Sequence, residues 1–450
     1  MVTAAPAMEP SGALRSERES TLEGPVVGFC FGAMLVLSTF ENHTRWGRVA
    51  FSAIAIGIVA WAAFRGRLSL EPLKKIAAPL CAVYATTIFA IALSFDRAYS
   101  FNTFYHQHLS FFLLFAAVGL WAVSAARQKA FMRGLVIAGA VSGALGLFLF
   151  FFARDFAHMN WFHKSHKASD FIYKAQTSDG AVYYRAQGML ESYTRSAIVF
   201  VFALPACVAL CVFAAREGRK RDFVLLALCG GVGFVYVIMT KSRGPWIATG
   251  IACCLTLLFL RVRWWIPVAL CAIAAGALAT SSSTRERAMT FFSARDNPKI
   301  LLSDRQTLWR EGLVPISENL LHGLGYGQDI FMRPPVVARY GRLTSADNKQ
   351  PDLHQTILQT LAEVGIPGLV AYAWLIGVLL WLGARSVRSG WMEAPGSVTA
   401  FAILIALLLF GLVYSFNEKN IAQIMWATLG MIASVAARRG IADRKPVQSA

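Results

Sequence analysis

Apolar stretches, each near the roughly 20 residues that carry a helix across a bilayer, recur along this sequence between short basic connectors. Reading them in order predicts helices at about 24 to 40, 49 to 64, 76 to 95, 109 to 126, 131 to 152 and 196 to 215. A second set is predicted at about 223 to 240, 245 to 260, 264 to 281, 357 to 383, 397 to 416 and 419 to 437. With 56% hydrophobic residues, 15% charged residues and a mean hydropathy of +0.52, the chain is no soluble globular enzyme, disordered polymer or secreted disulfide scaffold. The expected fold class is all-α, a polytopic integral membrane protein with about 12 transmembrane helices.

The net charge of +18 does not point to nucleic acid, because the Lys and Arg residues sit mostly in connectors. Their distribution sets an orientation. Arg65, Arg67, Lys74 and Lys75, then Arg127, Lys129 and Arg133, then Arg216, Arg219, Lys220 and Arg221 fall on one side. Arg261, Arg263, Arg385, Arg388 and the basic C-terminus continue the set. The alternate connectors hold far fewer, so the first set and both termini are expected in the cytoplasm. All eight cysteines lie in or beside apolar runs, which argues against a disulfide framework or a cysteine-bound metal.

The resulting organisation is a polar cytoplasmic tail over residues 1–23 and nine spans over 24–281, interrupted by an outer loop at 153–195. A second outer loop at 282–356 carries short helices, three spans fill 357–437, and a cytoplasmic tail occupies 438–450. The second outer loop, about 75 residues long, exceeds what a compact domain leaves unstructured without a functional reason. Gly139, Gly143 and Gly146 form a small-residue face suited to close helix contact.

The candidate chemistry gathers on the outer side. Ser303-Asp304-Arg305-Gln306 is a capping-box pattern that predicts a short helix with Arg305 and Trp309 on one side, ending near Gly312 and Pro315. Gly323, Gly325 and Gly327 permit a tight turn or a close backbone approach. Asp352 resembles a helix cap, which puts His354 in the first turn of the tenth span. There the helix dipole favours a neutral imidazole able to take a proton. Gln355, Gln359 and Glu363 extend a polar stripe into that span, and an ionisable group there faces a cavity or a partner helix.

Arg243 precedes Pro245 in the first turn of the eighth span, and Lys241, Arg305, Arg195 and Arg185 are predicted at the same face. Several fixed cations around one cleft suit a diphosphate, which guanidinium groups grip in a bidentate fork. His43, His106, His108, His158, His163, His166 and His322 read as solvated loop residues, since no carboxylate accompanies them at metal-ligand spacing. No metal site is expected.

Four features together resemble the O-antigen ligase and polymerase superfamily, and most closely the O-antigen ligases of Gram-negative bacteria. They are Lys241-Ser242-Arg243-Gly244, Asp304-Arg305 followed by Leu308-Trp309, Gly323-Leu324-Gly325-Tyr326-Gly327, and His354 with Leu358, Glu363, Gly365 and Gly368. The first half of the chain matches only by its run of spans. The resemblance implies a multi-pass glycosyltransferase of the inner membrane with its active face in the periplasm. Its donor would be undecaprenyl-diphosphate-linked O-antigen, its acceptor a sugar hydroxyl of lipid A-core, and its surroundings membrane lipids, with no nucleic acid and no cofactor. His354 is then the expected general base, and Arg243 and Arg305 the diphosphate clamps. Lys241 and Arg195 are further donor-binding candidates, and Arg185, Gln355, Glu363 and Trp309 supporting ones.

Two other readings share parts of this pattern. Some O-antigen polymerases carry an Arg, ten residues, then a Gly in both outer loops. Here that spacing starts at Arg219 and at Arg385, both on the expected cytoplasmic side. A small-anion transporter would concentrate polar residues near the bilayer centre in broken, repeated helices, whereas this chain collects them at one surface.

Overall fold

The computed structural model describes residues 23–38, 45–66, 68, 70–156, 172–176, 182–186, 193–279, 305–343, 353–389, 395–412, 414 and 419–436. Outside the described residues lie nearly all of the two polar tails, much of the outer loop at 153–195, and residues 282–304 and 344–352 of the larger one. His43, His158, His163, His166, Ser303, Asp304 and Asp352 fall there too.

Within the described residues, each of the twelve predicted segments contains a helix. In chain order the helices are α1 (Glu23–Ser38), α2 (Arg45–Phe64), α3 (Glu71–Ala92), α4 (Arg97–Thr103), α5 (Leu109–Trp121) and α6 (Ala125–Phe156). After these come α7 (Tyr193–Arg216), α8 (Lys220–Met239), α9 (Arg243–Phe259) and α10 (Trp265–Ala279). The outer segment adds α11 (Arg305–Glu318) and α12 (Pro334–Tyr340), and the chain continues through α13 (Thr356–Ser389), α14 (Pro395–Gly411) and α15 (Lys419–Ala433). Among the described residues, six helices are long and apolar enough to cross a membrane, and four shorter ones are apolar as well. The protein is a multi-pass membrane protein. Apart from the helices, the described residues hold one antiparallel hairpin, β1 (Ile172–Gln176) with β2 (Val182–Ala186), in which Tyr173 lies opposite Arg185.

Burial sorts the bundle into an axis and a lipid-facing shell. The apolar window of Thr194–Arg216 is 78% buried, against 17% for Lys220–Met239 and 22% for Trp46–Phe64, so α7 is the axis while α8 and α2 face outward. Nearly every residue of α14 is buried beside it. The small-residue face of α6 is used as expected: Gly139 abuts Ala203, Gly143 abuts Phe200 and Gly146 abuts Tyr236, so a Cβ at any of these would press on a neighbouring helix. At one end of the bundle the buried Gln128 closes a polar network. Its Oε1 accepts from the Gly396 amide at 2.9 Å, satisfying the start of α14, and its Nε2 donates to Ser397 and Ser434 hydroxyls.

Three elements differ from the sequence expectation. The fourth span is preceded by helix from Arg97, joined through a π-helical turn at Phe104–His108. The short outer helix does not end near Gly312 and Pro315 but runs to Glu318, because both residues are buried on its packed face, where Gly312 takes the Leu353 side chain. The tenth span is two helical pieces broken at Gly365, whose φ of +67° only glycine adopts without strain. Pro367 follows the break. The backbone groups it frees bond to the outer segment: Ile366 N–H donates to the Leu320 carbonyl at 2.7 Å, and Leu324 N–H to the Ala362 carbonyl at 2.6 Å.

The outer segment has its own apolar centre, built from Leu308, Ile316, Leu324, Ile330, Phe331, Val336, Leu353 and Ala362. It seats on the corner between α3 and α4. Phe95 N–H donates to the Leu324 carbonyl at 3.0 Å, and Arg333 Nε donates to Asp96 Oδ2 at 2.8 Å while stacking over Tyr99. Gly325 and Gly327, with φ of +126° and +134°, bring the backbone against Ser94 and Tyr99, so these glycines serve packing within the chain.

Candidate functional site

The tight turn between α8 and α9 starts from apolar packing. The α8 helix ends at Met239, and the Val237 carbonyl accepts from both Thr240 Oγ1 and Trp246 Nε1, at 2.6 and 2.7 Å. Lys241 occupies the turn with φ +50° and only 8% of its surface exposed. Ser242 is the N-cap residue, so Arg243 is the first residue of α9 and Pro245 lies in its first turn. The Ser242 and Thr194 hydroxyls share a hydrogen bond at 3.3 Å, tying this turn to the start of α7, where half-buried Arg195 follows.

Arg185 arrives from the hairpin, buried to 4% exposure on a strand that rests on the ends of α6 and α8. Burial, and after it the Arg185 guanidinium, push the Lys241 ammonium below its ordinary value.

Two aromatic rings lead from this cluster to His354. Gly244 lies against the face of Phe410, which a Cβ there would strike. Phe410 stacks on Tyr414 with centroids 5.1 Å apart, and Tyr414 stacks on the His354 ring at 6.0 Å. The Tyr414 carbonyl accepts from Thr356 Oγ1 at 2.7 Å, fixing that stack to the head of α13. On the other side of His354, Trp309 Nε1 donates to the Leu353 carbonyl at 2.8 Å. Arg305 opens α11 four residues before Trp309, hence on the same helix face.

The structure thus brings Lys241, Arg243, Arg195 and Arg185 to one end of the α7, α8 and α9 helices, with His354 across a two-ring stack and the α11 face adjoining it. The expected place of His354 in a helical turn is corrected. It precedes α13 with φ +48°, a conformation that cannot continue into a helix, and the Gln355 side chain takes up the cap by accepting from Leu358 N–H. The expectation of solvated histidines is corrected for His108, which is 6% exposed among Tyr84, Phe104 and Tyr372, its Nδ1 2.9 Å from the Tyr326 hydroxyl.

Glu363, only 2% exposed, accepts from Gln359 Nε2 at 2.7 Å, so the polar stripe of α13 faces protein. Sequence reasoning did not single out Phe410, Tyr414 or Thr194. The one available signal was Tyr414, a polar aromatic near the end of an apolar span, which marks an interfacial position.

Residues 231–373 match a family model described as O-antigen ligase. The matched segment holds Lys241, Arg243, Arg305, Trp309, His354, Gln355, Gln359 and Glu363, while Arg185, Arg195, Phe410 and Tyr414 lie outside it. No curated protein matches the chain. The likeness to the O-antigen ligase family is confined to residues 231–373, which carry the basic turn, the outer helix and the histidine.

Proposed function

We propose that this protein is an O-antigen ligase that transfers a glycan from undecaprenyl diphosphate to a sugar hydroxyl of lipid A-core, with inversion at the anomeric carbon. One observation carries the reading: a cluster of Lys and Arg side chains, with Lys241 and Arg185 buried and Arg195 and Arg243 half-buried, is joined to a half-buried histidine through the Phe410–Tyr414 stack. In the reaction the acceptor oxygen bonds to the anomeric carbon as the bond from that carbon to the diphosphate oxygen breaks. The hydroxyl proton passes to the His354 imidazole, and the diphosphate leaves with the bonding electron pair.

Arg243 and Arg305 stabilise the charge that develops on the diphosphate, with Lys241, Arg195 and Arg185 adding to the field. Diphosphate is already a good leaving group, and these fixed cations supply the positive charge the step requires without a metal ion. Trp309, Gln355 and Glu363 support the loop that carries His354. Twelve spans, cytoplasmic termini and a periplasmic active face in the inner membrane of a Gram-negative cell complete the proposal. The weight of Lys and Arg in alternate connectors supports that orientation.

The test is transfer by the purified protein from an undecaprenyl-diphosphate-linked glycan to lipid A-core, with and without excess chelator. Product on lipid A-core that persists with chelator is expected. Product only as longer lipid-linked glycan identifies a polymerase, and loss of product with chelator contradicts the metal-free mechanism. His354→Ala is expected to abolish transfer in a correctly inserted protein. Arg243→Lys, which keeps the charge and loses the fork, is expected to reduce it by roughly 10- to 100-fold.

A further inference from the structure

His354 is held in its left-handed conformation by the residue before it, whose peptide groups are bonded on both sides. The Leu353 carbonyl accepts from Trp309 Nε1 at 2.8 Å, and Leu353 N–H donates to Gln359 Oε1 at 3.1 Å. Leu353 itself is fully buried in the apolar centre of the outer segment. Gln359 is fully buried on α13, and its amide nitrogen donates to Glu363 Oε1 at 2.7 Å.

The orientation of this amide is dictated chemically. A backbone N–H can only donate, so Gln359 must present its oxygen to Leu353, and its nitrogen is then left to find an acceptor, which Glu363 provides. A buried carboxylate and amide within a membrane-depth helix are costly unless they serve each other and something else. Here the something else is the loop amide beside the imidazole.

We propose that Gln359, aimed by Glu363, is a positioning residue that fixes the His354 imidazole for proton transfer, the carboxylate acting through the amide and never touching substrate. This rests on the assignment of His354 as the base. Displacing a base by about 1 Å lowers turnover on the order of 100-fold while leaving substrate contacts in place. Gln359 therefore acts on kcat, whereas the basic cluster acts on donor binding.

The experiment measures kcat and donor KM for purified wild type, His354→Ala, Gln359→Met, Gln359→Asn, Glu363→Leu and Glu363→Gln, with lipid A-core as acceptor. Gln359→Met is expected to lower kcat by at least about 10-fold with donor KM within about threefold of wild type. Glu363→Gln keeps an acceptor for the amide and is expected to lose less than Glu363→Leu. If Gln359→Met does not fold, Gln359→Asn decides, since it keeps the amide but withdraws it by one methylene. An inactive His354→Ala beside Gln359 variants with wild-type kcat overturns the positioning role, as does a parallel change in kcat and KM. A fully active His354→Ala instead removes the base assignment, and the failure then belongs to the proposed function.

Discussion

Among the described residues, three without the freedom of glycine hold positive φ: Lys241, Arg261 and His354. Such a conformation costs about 1 to 3 kcal/mol and persists only where surrounding contacts over-determine it. At His354 those contacts are the two bonds to Leu353 and the ring stack on Tyr414. At Lys241 the strain coincides with burial beside another cation, which weakens the hold of its amine on a proton and predicts that donor binding depends on pH. An anion in the cluster favours the charged lysine, so donor affinity is expected to be full below the lowered Lys241 value and to fall as pH rises through it. Binding of undecaprenyl diphosphate measured across alkaline pH checks this; Lys241→Met is expected to bind more weakly and lose the fall, and a wild type unaffected by pH contradicts it. Residue types and spacing revealed Lys241, Arg243, Arg305 and His354 as candidates. The left-handed backbone at His354 was illegible, because the glycine-poor run Asp352-Leu353-His354-Gln355 reads as an ordinary helix start.

At the scale of elements, the outer segment and the break in α13 depend on each other. A Cβ at Gly365 would strike the Leu320 carbonyl and the His322 amide nitrogen, and the freed helix groups at Ala362 and Ile366 bond to that loop. The opposite edge of the segment is held by Asp96. Burial would raise its carboxyl, but the Tyr99 amide and the Arg333 guanidinium outweigh burial and hold it below the usual carboxylate value. A depressed carboxylate contributes stability that is present above its ordinary value and lost as pH falls through the lowered one. Asp96→Asn is therefore expected to speed amide exchange at Leu324, Ile330 and Phe331 at neutral pH while leaving α7 unchanged. Equal exchange in the variant and wild type would show that the apolar centre alone seats the segment. The helices themselves were legible from hydropathy, since long apolar runs admit little else. The break at Gly365 was not, because glycine and proline are tolerated in unbroken membrane helices as well.

For the whole molecule, burial makes α7 the axis and leaves α2 and α8 facing lipid, with the site at one end of the axis. In the proposed orientation, drawn from the distribution of Lys and Arg, that end faces the periplasm. Cysteine labelling with a membrane-impermeant maleimide tests the assignment. Ser317→Cys on the exposed face of α11 is expected to label in cells with a permeabilised outer membrane. Lys220→Cys, at the far end of α8, is expected to label only after the inner membrane is opened; the reverse pattern would invert the molecule. The apolar layers follow from composition along the chain, whereas the meeting of Gly244, Phe410, Tyr414 and His354 joins residues at the ends of three helices and has no local signal. In the proposed reaction, fixed cations and one imidazole act on a lipid diphosphate in a shared space. A cryo-EM structure with bound undecaprenyl diphosphate measures that directly. Phosphate oxygens are expected within about 3 Å of the Arg243 and Arg305 guanidinium groups, with the His354 ring on the side from which the acceptor approaches. A diphosphate bound away from these arginines, or a His354 ring turned from it, would contradict the account.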